Sequence, residues 1–104
     1  MALPFKVKTA EISLVPFGME GSLKVRGIST GTSKKIAEIT EKYKNENGDN
    51  QIANIETSVA ICKDCILEAP FDITEENILD FPPSLTATVI KTIMEIEDSK
   101  LPLA

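Results

Sequence analysis

Val59-Ala-Ile-Cys62-Lys-Asp-Cys65-Ile-Leu-Glu-Ala-Pro70, continuing as Phe71-Asp-Ile-Thr74-Glu-Glu-Asn-Ile-Leu-Asp80-Phe-Pro-Pro83, is the stretch whose reading decides the fold. Upstream of it Ile52, Ile55, Val59, Cys62 and Ile66 recur three and four apart, which is the spacing of one helix face. Ala53, Ala60, Ile61 and Leu67 widen that stripe, so a helix from about Asn50 to Glu68 is expected, with its C-terminal half the more buried. Pro70 lacks the N–H a helix needs and biases Ala69 away from helical geometry, so the helix stops there. Thr74 is placed to cap a short helical turn running through Asp80. Glu75 and Glu76 sit in its electropositive first turn, and Ile73 and Ile78 form a hydrophobic staple. Pro82 and Pro83 suit the opening of a last helix, where a missing N–H costs nothing, and Leu85, Val89, Ile93 and Ile96 make its buried stripe to about Ser99.

Working back toward the N-terminus, Ser33 to about Glu46 places Ile36, Ile39 and Tyr43 on one face, with lysines and glutamates elsewhere. The hydroxyl cluster Ser29-Thr-Gly-Thr-Ser33 precedes it as a capping sequence, and Asn45-Glu-Asn-Gly-Asp-Asn50 follows it as an exposed loop. Between Phe5 and Ile28, apolar residues alternate with polar ones around Gly18-Met-Glu-Gly21, which predicts a β-hairpin with Pro4 and Pro16 near strand ends. The fold class expected is therefore α+β and predominantly helical: an N-terminal hairpin over 5–28, three to four helices over 33–99, and a tail over 100–104. One small domain accounts for the 104 residues, whose folded surface should be about 5,700 Å² against about 16,000 Å² unfolded.

Composition narrows the function classes. Hydrophobic residues make up 42% of the chain and charged residues 26%, far from the balance of a disordered chain. The formal charge of -5 offers no basic field for a phosphate backbone, so nucleic acid is not an expected partner. No apolar run approaches the ~20 residues of a membrane span, and Met1-Ala-Leu-Pro-Phe-Lys-Val-Lys lacks a signal peptide's uninterrupted apolar core. A cytoplasmic location, with reduced cysteines, is expected.

Cys62-x-x-Cys65 is the pattern most open to a chemical reading, because two thiolates three apart can share a metal or close a small ring. Zinc would need two more ligands, and the chain has no histidine and no third cysteine. A redox pair normally sits at a helix N-terminus, whereas this pair is near a C-terminus. Packing cysteines are expected, with no metal and no cofactor. The absence of histidine also removes the usual general base and triad member. Glu75, Glu76 and Asp80 are read as capping and solvated carboxylates instead of an acid/base pair, and Thr30-Gly-Thr-Ser-Lys-Lys35 as a plain cap instead of an anion site. No catalytic residue is assigned, and no enzymatic activity is expected. The broad stripe of the second long helix serves equally as core or as an oligomer interface.

The order of these parts resembles the tail assembly chaperones of long-tailed phages and prophages. The resemblance lies in a hairpin leading into a helix, a second helix ending in Cys65-Ile-Leu-Glu-Ala-Pro-Phe-Asp-Ile-Thr-Glu-Glu76, and Ile78-Leu-Asp-Phe-Pro-Pro-Ser-Leu85 opening the last helix. It covers roughly Leu23 to Asp98. In that family a Glu-Pro, Thr-Glu-Glu, Leu-Pro cadence joins the last helices, and Glu68-Ala-Pro70 departs from it at the hinge. The resemblance implies a non-enzymatic protein of the host cytoplasm that binds the long helical tape-measure protein and keeps it soluble until tail-tube subunits polymerise around it. It also implies a longer frameshifted product that recruits tail-tube protein. Helix contacts would then fall to Ile52, Ile55, Val59 and Ile66, with Val89, Ile93 and Leu101 as further contacts, and a homo-oligomer is expected. Two rival readings stand beside it: a phage structural part such as a tail-tube or head–tail joining protein, and a small thiol or metal protein using Cys62 and Cys65.

Overall fold

The computed structural model describes residues 8–44 and 51–98. In chain order these form β1 (Thr9–Ser13), a 3₁₀ turn (Val15–Phe17), β2 (Ser22–Arg26), α1 (Thr30–Lys42), α2 (Gln51–Cys65), β3 (Ile66–Glu68), α3 (Glu75–Leu79) and α4 (Pro83–Asp98). The expected α+β, mostly helical architecture is the observed one, with a three-stranded antiparallel sheet in the order β1-β2-β3.

The hairpin pairs Ala10 with Val25 and Ile12 with Leu23, which puts the apolar members of both strands on one face. Ile12, Leu23 and Val25 are buried there, as is Leu14 just beyond β1, while Thr9, Glu11 and Ser13 face outward. This is the usual two-faced pattern of an antiparallel sheet covered on one side. Gly18 and Gly21 in the connection take positive φ, at 88° and 106°. A side chain at Gly21 would also crowd the Pro70 ring at 3.3 Å, so a bare position suits the close approach of the turn to the segment after β3. Pro16, expected near a strand end, lies inside the 3₁₀ turn.

Two helix boundaries move for identifiable reasons. α1 begins three residues earlier than its periodicity suggests because Ser29, not a later hydroxyl, is the cap. Its Oγ accepts from the Thr32 N–H at 3.2 Å. Tyr43 already occupies the C-cap, and Asn45 and Glu46 fall outside the described residues, as does the expected loop through Asn50. α2 ends at Cys65, three residues short of Glu68, because Ile66–Glu68 instead pairs with the free edge of β2. Pro70 would have ended the helix within one turn anyway, and the sheet supplies partners for backbone groups on both β2 and β3. One step on β2, from Val25 to Lys24, faces two steps on β3, from Ile66 to Glu68. This bulge leaves Leu67 unpaired and 43% exposed, so it does not widen the helical stripe.

α4 lies across β1, β2 and α2, and α1 packs on α2. Leu85, Val89 and Ile93 of α4 meet Ile61, Cys62, Cys65 and Ile66, with the inner face of the hairpin and Ile78 completing the core. Thr74 caps α3 as expected, accepting from the Asn77 N–H at 3.1 Å, and Ile73 and Ile78 both join the core. No described helix is long and apolar enough to cross a membrane.

Candidate functional site

The expected contact residues separate into three groups. Ile66, Val89 and Ile93 are 4%, 0% and 0% exposed and form part of the core. Their side chains hold this chain together and have no surface to offer a partner. Ile52 and Ile55 stand 61% and 52% exposed on the first turns of α2, and Val59, one turn further on, is half-buried. Leu101 lies outside the described residues.

Ile55 and Val59 form one wall of an open groove of about 710 Å³. α3 and its exit supply Ile78, Leu79 and Phe81, and α4 supplies Pro83, Ala87 and Ile90. Asn54, Ser58 and Thr86 are the hydrogen-bonding groups along it, and Lys91 is its charged lining residue. A second cavity of about 320 Å³, on the α1 side of α2, shares Ile55, Val59 and Leu79 with the groove. The two depressions thus meet along one apolar ridge. Leu79 is 54% exposed on it and Ile55 52%, so two large side chains of this ridge remain in water.

Several of these residues were not assigned to a surface from sequence. The capped turn expected through Asp80 contains Leu79 and stops short of Phe81, and Ile90 falls beside the stripe of Leu85, Val89 and Ile93. A signal was present nevertheless: Pro83, Ala87, Ile90 and Met94 recur at offsets of four, three and four, a second helical stripe next to the buried one. Met94 is exposed at the far end of that stripe. A smaller depression of about 290 Å³ lies under the hairpin turn, lined by Phe17, Met19, Phe71 and Phe81 among others. Phe71 and Phe81 meet there edge to face at 5.8 Å between ring centres.

On its other side α2 is held by polar clamps. Asp64 receives the Thr32 hydroxyl at 3.0 Å and the Lys35 ammonium at 2.8 Å. These contacts, Lys35 first, hold its carboxyl below its ordinary range. Two turns away, Glu56 accepts from the Tyr43 hydroxyl and faces Lys42 at 3.5 Å. The Tyr43 contact is the main cause of a lowered Glu56 pKa, and the same contact raises that of Tyr43. Thr32, fully buried, is satisfied through the Asp64 contact.

Cys62 and Cys65 are both free and fully buried. Burial pushes the Cys62 thiol up to about 12, with neighbouring Cys65 adding to it, and raises Cys65 as well. The Cys65 thiol points to the Gly27 carbonyl at 3.8 Å, a weak sulfur contact. A thiol held protonated and away from solvent is a poor nucleophile and a poor metal ligand. Among the described residues no group of three metal-ligating side chains assembles. The arrangement these residues do make is an open, helix-lined groove, mostly apolar with Lys91 as its charged lining residue, whose chemistry is chiefly that of apolar contact.

Comparison with models of known protein families, with curated proteins and with solved structures gives no match.

Proposed function

We propose that this chain is a non-enzymatic tail assembly chaperone of a long-tailed phage or prophage, which covers apolar helical stretches of a tape-measure protein in the host cytoplasm. The observation that carries the proposal is the groove between α2, α3 and α4, with Ile55 and Leu79 left in water along its edge. A groove walled by helices and floored by aliphatic side chains accepts the apolar face of another helix, read by side chains at offsets of three, four and seven. The net acidic chain opposes clumping of the loaded complex.

Magnitudes favour a reversible hold. Completing the burial of Ile55 and Leu79, each about half exposed, would contribute roughly 2 kcal/mol at about 1.5–3 kcal/mol per fully buried side chain. Association alone costs about 4 kcal/mol or more. One groove therefore binds weakly, and a firm grip needs several grooves acting along one long partner, which a homo-oligomer of this chain supplies through effective concentration. Weak single contacts also permit stepwise displacement as tube subunits close around the partner.

Co-expression with a candidate tape-measure protein tests the proposal. The expected result is a larger soluble fraction of that protein and co-purification of the two. An Ile55→Ser, Leu79→Ser variant should keep its melting temperature and lose both effects. Unchanged solubility together with no co-purification by the wild-type chain defeats the proposal.

A further inference from the structure

We infer that the depression under the hairpin turn is a recognition site for one lysine side chain of a partner polypeptide, with its ammonium held among phenyl rings beside Asp80. The site is separate from the groove between α2, α3 and α4, since of the residues lining the two only Phe81 is shared. Two distant segments build it. The hairpin connection supplies Phe17, from the 3₁₀ turn, and Met19. The segment after β3 supplies Phe71, and the exit of α3 supplies Asp80 and Phe81. The close approach of the hairpin turn to the Pro70 ring, at bare Gly21, brings the two segments together.

Rings and charge together select a cation. Three phenylalanines line a depression of about 290 Å³, and the face of an aromatic ring attracts positive charge through its quadrupole. All three are partly exposed, so a ligand can reach them from solvent. The rings of Phe71 and Phe81 are nearly perpendicular, at 74°, as two sides of a corner are. Asp80 is the charged residue of the lining, and its carboxylate makes no ion pair with another described residue. It occupies the C-cap of α3, the negative end of the helix dipole, so α3 gains nothing from its charge. No cation of the two segments competes for it: neither Ser13 to Leu23 nor Asp64 to Ile90 holds a lysine or arginine.

Size and hydrogen bonding select lysine. Small-molecule sites run from about 300 to 1,000 Å³, and this depression falls just short of that range, which suits one long side chain better than a whole ligand. Met19 and Pro82 offer apolar contact to a methylene stem. An ammonium brings three N–H donors. Asn77 Nδ2 donates to the Asp72 carbonyl at 2.8 Å, which leaves Asn77 Oδ1 with no donor among the described residues. That oxygen and the two of Asp80 give the lining three side-chain acceptors for those donors.

The experiment titrates the full chain with two short capped peptides that differ only at the central residue, lysine in one and norleucine, which has an alkyl chain and no ammonium, in the other. The lysine peptide should shift the Met19 methyl signal in NMR spectra with a dissociation constant of about 1 mM, about tenfold tighter than the norleucine peptide. Asp80→Asn, which keeps a residue suited to a helix end, should bring that ratio close to one. Phe17→Leu keeps an apolar wall and removes a ring. It should lower the ratio about threefold and stands as an independent reading if Asp80→Asn melts early. Equal binding of the two peptides, absence of binding by the lysine peptide, or a ratio unmoved by both variants overturns the inference. Choline bound as tightly as the lysine peptide overturns the assignment to a polypeptide side chain. Each of these failures leaves capture of a tape-measure protein by the groove standing, because Asp80 and Phe17 do not line it.

Discussion

The two halves of α2 carry the same kind of apolar spacing and meet opposite fates. Ile61, Cys62 and Cys65 are 4%, 0% and 0% exposed, whereas Ile52 and Ile55 are 61% and 52% exposed. What differs is the company. The C-terminal half is met by α4 and the sheet, and the chain passes directly from it into β3. The N-terminal half is flanked by α1 on one side, through Glu56, Tyr43 and Lys42, and by the open groove on the other. A helical stripe thus records which face is apolar. Whether that face is core or docking surface depends on where the other elements end.

The largest effect expected from this contrast is on stability. Ile61→Ala removes three buried carbons from the covered half and should cost about 2–5 kcal/mol in urea-induced unfolding. The same truncation at Ile52 should leave the midpoint nearly unchanged, because its side chain is already hydrated. A comparable loss at both sites would mean the N-terminal half is covered in solution, by a second copy or by another part of this chain, and a concentration series would separate the two.

The thiols report on the covered half alone. With Cys62 fully buried and its pKa pushed up to about 12, neither it nor Cys65 should react with a thiol reagent in native buffer. Their reaction rates should rise with urea in step with unfolding. Cys62→Ser places a hydroxyl where the thiol has no hydrogen-bond partner among the described contacts, at an expected cost of about 1–3 kcal/mol. Rapid native labelling would place α2 and α4 further apart than they are here.

How much of this was legible beforehand varies by element, and the reasons are physical. Helix faces and caps were readable because they are local: Thr74 and the Ser29–Ser33 hydroxyl cluster announce helix starts, and Leu85, Val89 and Ile93 announce an inner face. β3 was not readable. Ile66–Glu68 continues the helical pattern of α2, and its strand state depends on the unpaired edge of β2, forty residues earlier in the chain. The separation of Ile52 and Ile55 from Ile66 was hidden for the same reason, since one periodicity joins them. Leu79 and Phe81 gain their place in the groove only from tertiary packing of α3 between two longer helices. In the sequence Leu79 belongs to a capped turn and Phe81 lies just past its end.

The polar side of α2 predicts a pH effect of intermediate size. Asp64 has a folded pKa below its ordinary 3.8, and Glu56 below its ordinary 4.5. A lowered folded value means that these contacts stabilise the fold above the ordinary values and stop doing so as pH falls through the folded ones. Asp64→Asn should therefore cost about 1 kcal/mol at neutral pH, a modest figure because Lys35 is half exposed and well solvated. The gap between variant and wild type should close as pH drops below 3.8, the ordinary Asp64 value. Thermal melts of both proteins between pH 7 and pH 2 follow that closure. A gap that persists at the acid end would assign the clamp to the Thr32 hydroxyl contact instead of to charge.

The smallest stability effect is the most informative about function. Ile52→Ser changes a side chain that is 61% exposed and stands on the first turn of α2, beyond the groove lining. Exposed substitutions of this kind shift stability by no more than about 0.5 kcal/mol. The first turn of α2 places Ile52 next to the ridge of Ile55, Val59 and Leu79, one helical turn before Ile55. Ile52→Ser should therefore leave unfolding untouched while weakening capture of an amphipathic helix by less than Ile55→Ser does, since Ile55 alone of the two lines the groove. Capture weakened equally by both places the incoming helix along α2 itself, and capture unaffected by either moves the contact to the α4 wall at Ala87 and Ile90.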